Sequence, residues 1–352
     1  MQAFLYQSHA TRVRFGNGVL EKLRSEIQTL GLKRVLVLTT PQQRPLGERI
    51  QALAGNLCVG MFSGAEMHVP VASVETACET ARHLDADGYI AVGGGSTIGL
   101  AKAIALRLTM PIIAIPTTYA GSEMTSIFGI TAAGRKTTGR DVRVLPKTVI
   151  YDPLLTTSLP LSVSVTSGIN AIAHAAEGLY AQDSNPIIGL IAEEGIRAMG
   201  SGLPLTAHDP DDVDARAQCL YGAWLCGTVL GSAGMALHHK LCHTLGGSLN
   251  LPHGETHTIV LPHVLAYNGN AAPQAMERIA RALGVEKAAS GIYDLAKNLG
   301  APMALNSIGM KVDDIQKVVD AALQNPYWNP RQIDRAPLQE LIEAAFQGRR
   351  PS

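Results

Sequence analysis

Short β-branched runs and helical patterns alternate through the first part of the chain. Arg34-Val35-Leu36-Val37-Leu38-Thr39 is apolar at every central position, as a strand covered on both faces must be. A helical stretch starts near Arg44, and Gly88-Tyr89-Ile90-Ala91-Val92 and Ile112-Ile113-Ala114-Ile115 predict two more such strands around a helix over 96–108. Strands alternating with helices predict a doubly wound parallel sheet. After Tyr151-Asp152-Pro153 the β-runs stop, and helical patterns rich in Ala, Leu, Ile and Gly take over. They are punctuated at Asn185-Pro186, His208-Asp209-Pro210, Gly246-Gly247 and Leu251-Pro252-His253-Gly254. Asp209, Asp211, Asp212 and Asp214 stand where carboxylates cap a helix start, and one later helix is expected over 234–245, ended by Gly246-Gly247. The change of character near Leu159 predicts an α/β domain over 1–158 and an all-α domain over 159–352, packed with a cleft between them.

Composition narrows the class. Lys plus Arg equals Asp plus Glu, 29 against 29, so no excess of positive charge points to nucleic acid. With 46% hydrophobic and 16% charged residues in 352, the chain has ample core-forming material and is not disordered. Residues 1–9 lack a signal peptide's basic region and apolar run, and nothing approaches the ~18 apolar residues needed to span a bilayer. Cys58, Cys78, Cys219, Cys226 and Cys242 form no CxxC pair, as expected of reduced thiols in a cytoplasmic protein.

The strand at Gly88 runs into Gly93-Gly94-Gly95-Ser96-Thr97 and then a helix. Glycines there let backbone N–H groups approach a pyrophosphate, and the helix N-terminus adds partial positive charge. Gly94, Gly95 and Ser96 are therefore candidate cofactor contacts, with Thr117 and Thr118 after the next strand at the same sheet edge. A tight turn for packing alone is the alternative, and three consecutive glycines at a strand end favour the anion site over it. Thr39-Thr40-Pro41 stands where a carboxylate would bind a free ribose, which predicts use of NADH or NADPH. The segment 129–150 carries Arg135, Lys136, Arg140, Arg143 and Lys147 against Asp141 alone, either a solvated ribbon or a wall facing an anion.

Eight of the eleven histidines fall between 160 and 263. Asn170 and His174 are four apart and share a helix face, and His239 and His243 repeat the spacing, with His253 beyond. Imidazoles so placed suit a first-row metal and equally suit proton transfer near neutral pH. His238 falls on another helix face and is expected to be structural, Glu177 a satisfied helix carboxylate, and Trp224 core packing.

The glycine turn, Pro116-Thr117-Thr118 and the histidine array together resemble the iron-containing (group III) alcohol dehydrogenase family, from the first strands to about Asn268. The resemblance implies a Rossmann-like N-terminal dinucleotide-binding domain and an all-helical catalytic domain, the dehydroquinate synthase-like fold. It implies a divalent metal on an aspartate and three histidines, at positions occupied here by Asn170, His174, His239 and His253. An amide offers only a neutral oxygen where a carboxylate supplies charge, so no metal is expected and these positions are vestigial. Lys136 matches a family lysine near the cofactor. Pro116 to Thr125, Ser167 to His174, His238-His239 and Asn325-Pro326-Tyr327-Trp328-Asn329-Pro330-Arg331 resemble a branch of the family that reduces the conjugated C=C of 2-maleylacetate to 3-oxoadipate in aromatic-compound degradation. On that branch His243 is the expected proton donor, His253 and His239 position or polarise the substrate's carbonyl oxygen, and Lys240 and Arg331 are candidate anchors for a dicarboxylate. A cytoplasmic homodimer follows from family habit, with no nucleic acid or membrane partner. A metal-dependent alcohol dehydrogenase and a dinucleotide-binding paralogue without turnover are the competing expectations.

Overall fold

The computed structural model describes residues 3–8, 10–132, 135–324 and 327–352, and the side chains at 135 and 136 lie outside the description. The chain forms an α/β unit, Ser8–Leu159, and a helical unit built mainly from Pro160–Ser352.

In the α/β unit six strands make one parallel sheet: β1 (Arg12–Phe15), β2 (Val35–Leu38), β3 (Cys58–Phe62), β4 (Gly88–Gly93), β5 (Ile112–Pro116) and β8 (Thr148–Tyr151). Their order is β1-β8-β5-β4-β2-β3. Helices α1 (Leu23–Thr29), α2 (Arg44–Ala54), α3 (Val71–His83) and α4 (Gly95–Leu108) cover it. The continuous apolar strand runs follow from this two-sided cover, because successive side chains point to opposite faces. Val35, Val37, Ile90 and Val92 pack with Ile27 of α1 and Ile50 of α2. Leu36, Leu38, Tyr89 and Ala91 pack with Ala77 of α3 and Ile104 of α4 on the other face. The basic segment includes an antiparallel ribbon, β6 (Ile127–Ala132) with β7 (Arg135–Arg140), and Arg143 beyond it pairs with Asp141 at 2.6 Å.

The sheet's outer strand β1 pairs with β8, so the first strand of the unit lies beside its last. Asp152 locks this edge by accepting from Gly18 N at 3.0 Å and Leu20 N at 3.1 Å. Between β2 and β4 the order of connection reverses, and the glycine turn follows β4 at the carboxyl edge where such folds bind ligands.

The helical unit contains α5 (Leu161–Tyr180), α6 (Pro186–His208), α7 (Val213–Ser232), α8 (Leu237–Leu249), α9 (His253–Asn268), α10 (Pro273–Leu283), α11 (Ala288–Asn298), α12 (Asp314–Leu323) and α13 (Arg335–Gln347). Asn185 caps α6 by accepting from Ile187 N and Ile188 N, both at 3.1 Å, and Asp212 caps α7 in the same way. Helix α8 departs from the expected 234–245. It starts at Leu237, runs through Gly246-Gly247 and stops at Leu249, where Asn250 takes the left-handed conformation (φ 53°) that ends a helix. Leu237, Leu241 and Leu245 form its buried stripe against Ile259 and Val264 of α9 and Val318 of α12, which leaves His239 and His243 on an adjoining face. Among the described residues no single helix is long and apolar enough to cross a membrane.

Candidate active site

Gly93 ends β4 at φ 147°, a conformation open to glycine, and a Cβ there would lie 2.5 Å from Thr97 Oγ1. The chain then enters α4 with Gly94 at the N-cap position and Gly95 exposed as its first residue. A Cβ on Gly95 would meet nothing within 4 Å, so the absent side chain leaves room for a ligand rather than for packing. Backbone N–H groups at a helix start, unobstructed, suit a pyrophosphate. The two threonines after β5 separate in role. Thr117 is buried and its hydroxyl accepts from Gln43 Nε2 at 2.9 Å, which makes it part of the scaffold. Thr118 stands at the turn, its Cγ2 3.0 Å from where a Gly94 Cβ would sit. Thr39 follows β2 and has no carboxylate beside it in the chain. The Lys136 side chain, like Asn325 and Pro326, lies outside the described residues.

In the helical unit α5, α8 and α9 converge their imidazoles. The ring centroids of His174 and His239 are 5.0 Å apart, those of His239 and His243 6.2 Å, and those of His253 and His257 4.2 Å. His257 also lies 5.1 Å from His239 and 4.9 Å from His238. Asn170, His174, His239 and His257 are buried, whereas His243 and His253 are exposed. Burial, reinforced by the neighbouring rings, pushes the pKa values of His174, His239 and His257 well below the ordinary histidine range, so all three are neutral. Asn170 Oδ1, His174 Nδ1, His239 Nε2 and both ring nitrogens of His257 are buried with no hydrogen-bond partner.

Glu177, on α5 less than a turn after His174, organises this cluster. Its carboxylate accepts from the backbone N–H groups of Ala236 (3.0 Å), His238 (2.8 Å) and His239 (3.3 Å), and from His239 Nδ1 at 2.7 Å. Burial raises its pKa, while these donors favour the carboxylate form. Because a carboxylate only accepts, the His239 proton sits on Nδ1 and the Nε2 lone pair is open. Neutral His239 therefore offers a lone pair at Nε2. His238 donates through Nε2 to the His257 carbonyl at 3.0 Å, the structural part expected of it.

The anchor candidates differ. Lys240, on the helix of His239 and His243, holds its ammonium 5.2 Å over the Tyr327 ring, whose hydroxyl is buried without a partner. Arg331 stacks 4.1 Å over Tyr267 and donates to the Tyr267 carbonyl at 3.0 Å, so it braces the helical unit instead of standing ready for a substrate. Trp224 is half-buried, edge-on to Tyr221, and is not a core residue. Sequence reasoning missed His257 although it stands four residues after His253, the same spacing that singled out the other pairs. It also undervalued Glu177, whose partners come from a segment roughly sixty residues away.

One unit offers an anion-binding turn for a dinucleotide and the other a set of neutral rings that can hold and pass protons, a division that defines a dinucleotide-dependent oxidoreductase. The family model described as iron-containing alcohol dehydrogenase matches residues 10–153, and its C-terminal counterpart matches 164–346. The chain belongs to the iron-containing alcohol dehydrogenase family. A maleylacetate reductase from Burkholderia cepacia is 56% identical over 352 residues, the whole of both chains. A solved maleylacetate reductase from Agrobacterium tumefaciens superposes with a TM-score of 0.97 at 51% identity, and a solved structure from Ralstonia eutropha with 0.99 at 60%, each over the whole of both chains.

Family membership overturns one expectation, that of no metal, because the family implies iron or another metal as cofactor. The residues fit such an ion. Asn170 Oδ1, His174 Nδ1 and His239 Nε2 are buried with no protein partner, and a neutral imidazole presents one nitrogen lone pair to an ion. The amide at 170 lowers the charge of the donor set without removing an oxygen donor.

Proposed function

We propose that the chain reduces the conjugated C=C of 2-maleylacetate with NADH or NADPH, giving 3-oxoadipate. The observation that carries this reading is the contrast between buried neutral rings and solvent-facing ones in a single cluster. A proton donor must recharge from water in each turnover; His243 is exposed to it, whereas His174, His239 and His257 are buried and neutral.

A bound dinucleotide would supply a hydride to the alkene carbon β to the ketone, the π electrons moving to the carbonyl oxygen as the substrate's enolate. His243 then delivers a proton to the neighbouring carbon and takes one from solvent, so a hydride and a proton are added and NAD(P)+ leaves. Asn170, His174, His239 and His253 would hold the metal, which supplies Lewis-acid stabilisation at the carbonyl oxygen when bound. Glu177 fixes the His239 ring and its tautomer. The amide of Asn170 also spares a dianionic substrate the repulsion of a carboxylate, and Lys240 offers it a cation. In this reading the enzyme is a cytoplasmic homodimer, which size measurement tests.

The deciding assay follows dinucleotide oxidation with maleylacetate, NADH and NADPH, with primary alcohols as a second substrate class. Consumption of maleylacetate with formation of 3-oxoadipate is expected. Oxidation of primary alcohols with no turnover of maleylacetate would overturn the assignment.

A further inference from the structure

We infer that Lys102 is a positioning residue for the dinucleotide: from the middle of α4 it holds the segment after β5 so that Thr118 stays over the glycine turn. The inference rests on reading that turn and Thr118 as the cofactor site.

Lys102 is wholly buried in a helix that is otherwise Gly, Leu, Ala and Ile around it. Its Nζ lies 2.6 Å from the Ser122 carbonyl, 2.8 Å from that of Thr125, 2.9 Å from Thr125 Oγ1 and 2.9 Å from the Ile127 carbonyl. Burial pulls its pKa down to about 7, with Glu123 opposing and Arg140 reinforcing the shift. Yet four acceptors surround it. The ammonium form has three N–H groups to share among them, whereas the neutral amine has two and would turn a lone pair toward an oxygen. The charge is thus retained by the loop it binds, and an apolar side chain would take the ammonium donor from the Thr125 and Ile127 carbonyls, while the Ser122 carbonyl keeps the Thr125 N–H at 3.2 Å and the Thr125 hydroxyl at 3.1 Å.

Placement links this anchor to the cofactor. Gly95 and Lys102 are two turns apart on one helix face, so the same rigid element carries the anion-binding turn and the loop's far anchor. The near end of the loop is tied by Thr117 N donating to the Gly93 carbonyl at 3.1 Å and by Gln43 on the Thr117 hydroxyl. Beyond it, the Tyr151 hydroxyl donates to Glu123 at 2.8 Å. Thr118 stands between the two anchors. Releasing the far one lets the loop lift, which moves Thr118 from the turn while the helical unit's histidines keep their places.

The test compares Lys102→Met, Thr125→Val and Thr125→Ser with the wild-type enzyme. NADH affinity is read by fluorescence titration, and kcat and both KM values by steady-state kinetics. Lys102→Met should raise the Kd and KM for NADH roughly tenfold or more, the range expected for losing bonds to a charged group. At saturating NADH, kcat and the KM for maleylacetate should stay within about twofold. Thr125→Val should move the same quantities less and Thr125→Ser should restore them; if Lys102→Met does not fold, this pair decides. Wild-type NADH affinity in Thr125→Val and in folded Lys102→Met, with affinity lost in Thr118→Val, would overturn the role of Lys102 and leave the cofactor site standing. Wild-type affinity in Thr118→Val and Gly95→Ala as well would overturn both.

Discussion

Replacing Glu177 by glutamine keeps the side chain's volume and removes its charge. The carboxylate receives five donors, from Ala236 N, His238 N, His239 N and His239 Nδ1 at 2.7 to 3.3 Å and from the Tyr180 hydroxyl at 3.5 Å. An amide presents one oxygen, and its NH2 group faces the remaining donors. About two of these donors then lose their acceptor, at about 1–3 kcal/mol each, so about 2–6 kcal/mol in all. That is a large share of the ~5–15 kcal/mol by which a domain is stable. A unit of this size shifts by about 2–4 °C per kcal/mol, so the helical unit should melt about 5–20 °C lower. The glutamine NH2 would also donate to His239 Nδ1, move the ring proton to Nε2 and close the lone pair that the cluster keeps open. Thermal unfolding and steady-state turnover should therefore fall together, while NADH titration, which reports the α/β unit, should change little. A variant melting within about 1 °C of wild type with full turnover would refute the organising role given to Glu177.

Three further outcomes follow from the geometry. His243→Ala should cut turnover by roughly 10²–10⁴ without weakening NADH binding, and unchanged turnover would place the proton donor elsewhere. Gly93→Ala should destabilise the protein, because φ 147° and a 2.5 Å approach to Thr97 leave no room for a methyl group, whereas Gly95→Ala should keep the melting temperature and weaken NADH binding; equal melting of both variants would contradict this split. Glu26 is buried, which raises its pKa, but bonds from Arg12 and Arg14, with Nε distances of 2.8 Å, outweigh burial and hold it below 4.5. A depressed folded pKa means its stabilisation is present above 4.5 and is lost as pH falls through the folded value, so Glu26→Gln should flatten the acid limb of the stability curve.

Much of the α/β unit was legible because its strands have no exposed face. Val35–Leu38 and Ile112–Pro116 are apolar at consecutive positions, and a glycine run after such a strand has few other uses. The histidines were legible wherever two shared a helix face. The rest depends on contacts that spacing does not encode. A glutamate in a helix reads as a carboxylate satisfied in its own helix until the N–H groups of a distant helix start are brought to it, as with Glu177. Lys102 carried a signal, one cation inside Gly99-Leu100-Ala101-Lys102-Ala103-Ile104-Ala105, but its partners lie in a loop whose course is tertiary. Helix α8 outran its glycines because Asn250 can adopt the left-handed cap, so Gly246-Gly247 did not have to. The amide at 170 misled for a different reason: loss of charge was read as loss of a ligand, although the oxygen remains.

The pairing of β1 with β8 has a consequence for how the polypeptide is made. Arg12–Phe15 leaves the ribosome long before Thr148–Tyr151, its neighbour in the sheet. At about 5–20 residues per second the wait is roughly 7–30 s. Through that interval the glycine turn and its flanking strands can already assemble, while the unit's N-terminal strand has no place to dock. Asp152, translated directly after Tyr151, then fastens Gly18 and Leu20. Vectorial synthesis thus completes the nucleotide-facing centre of the sheet first and its border last, and nascent chains halted short of residue 148 should show a protease-sensitive N-terminus that full-length chains lack.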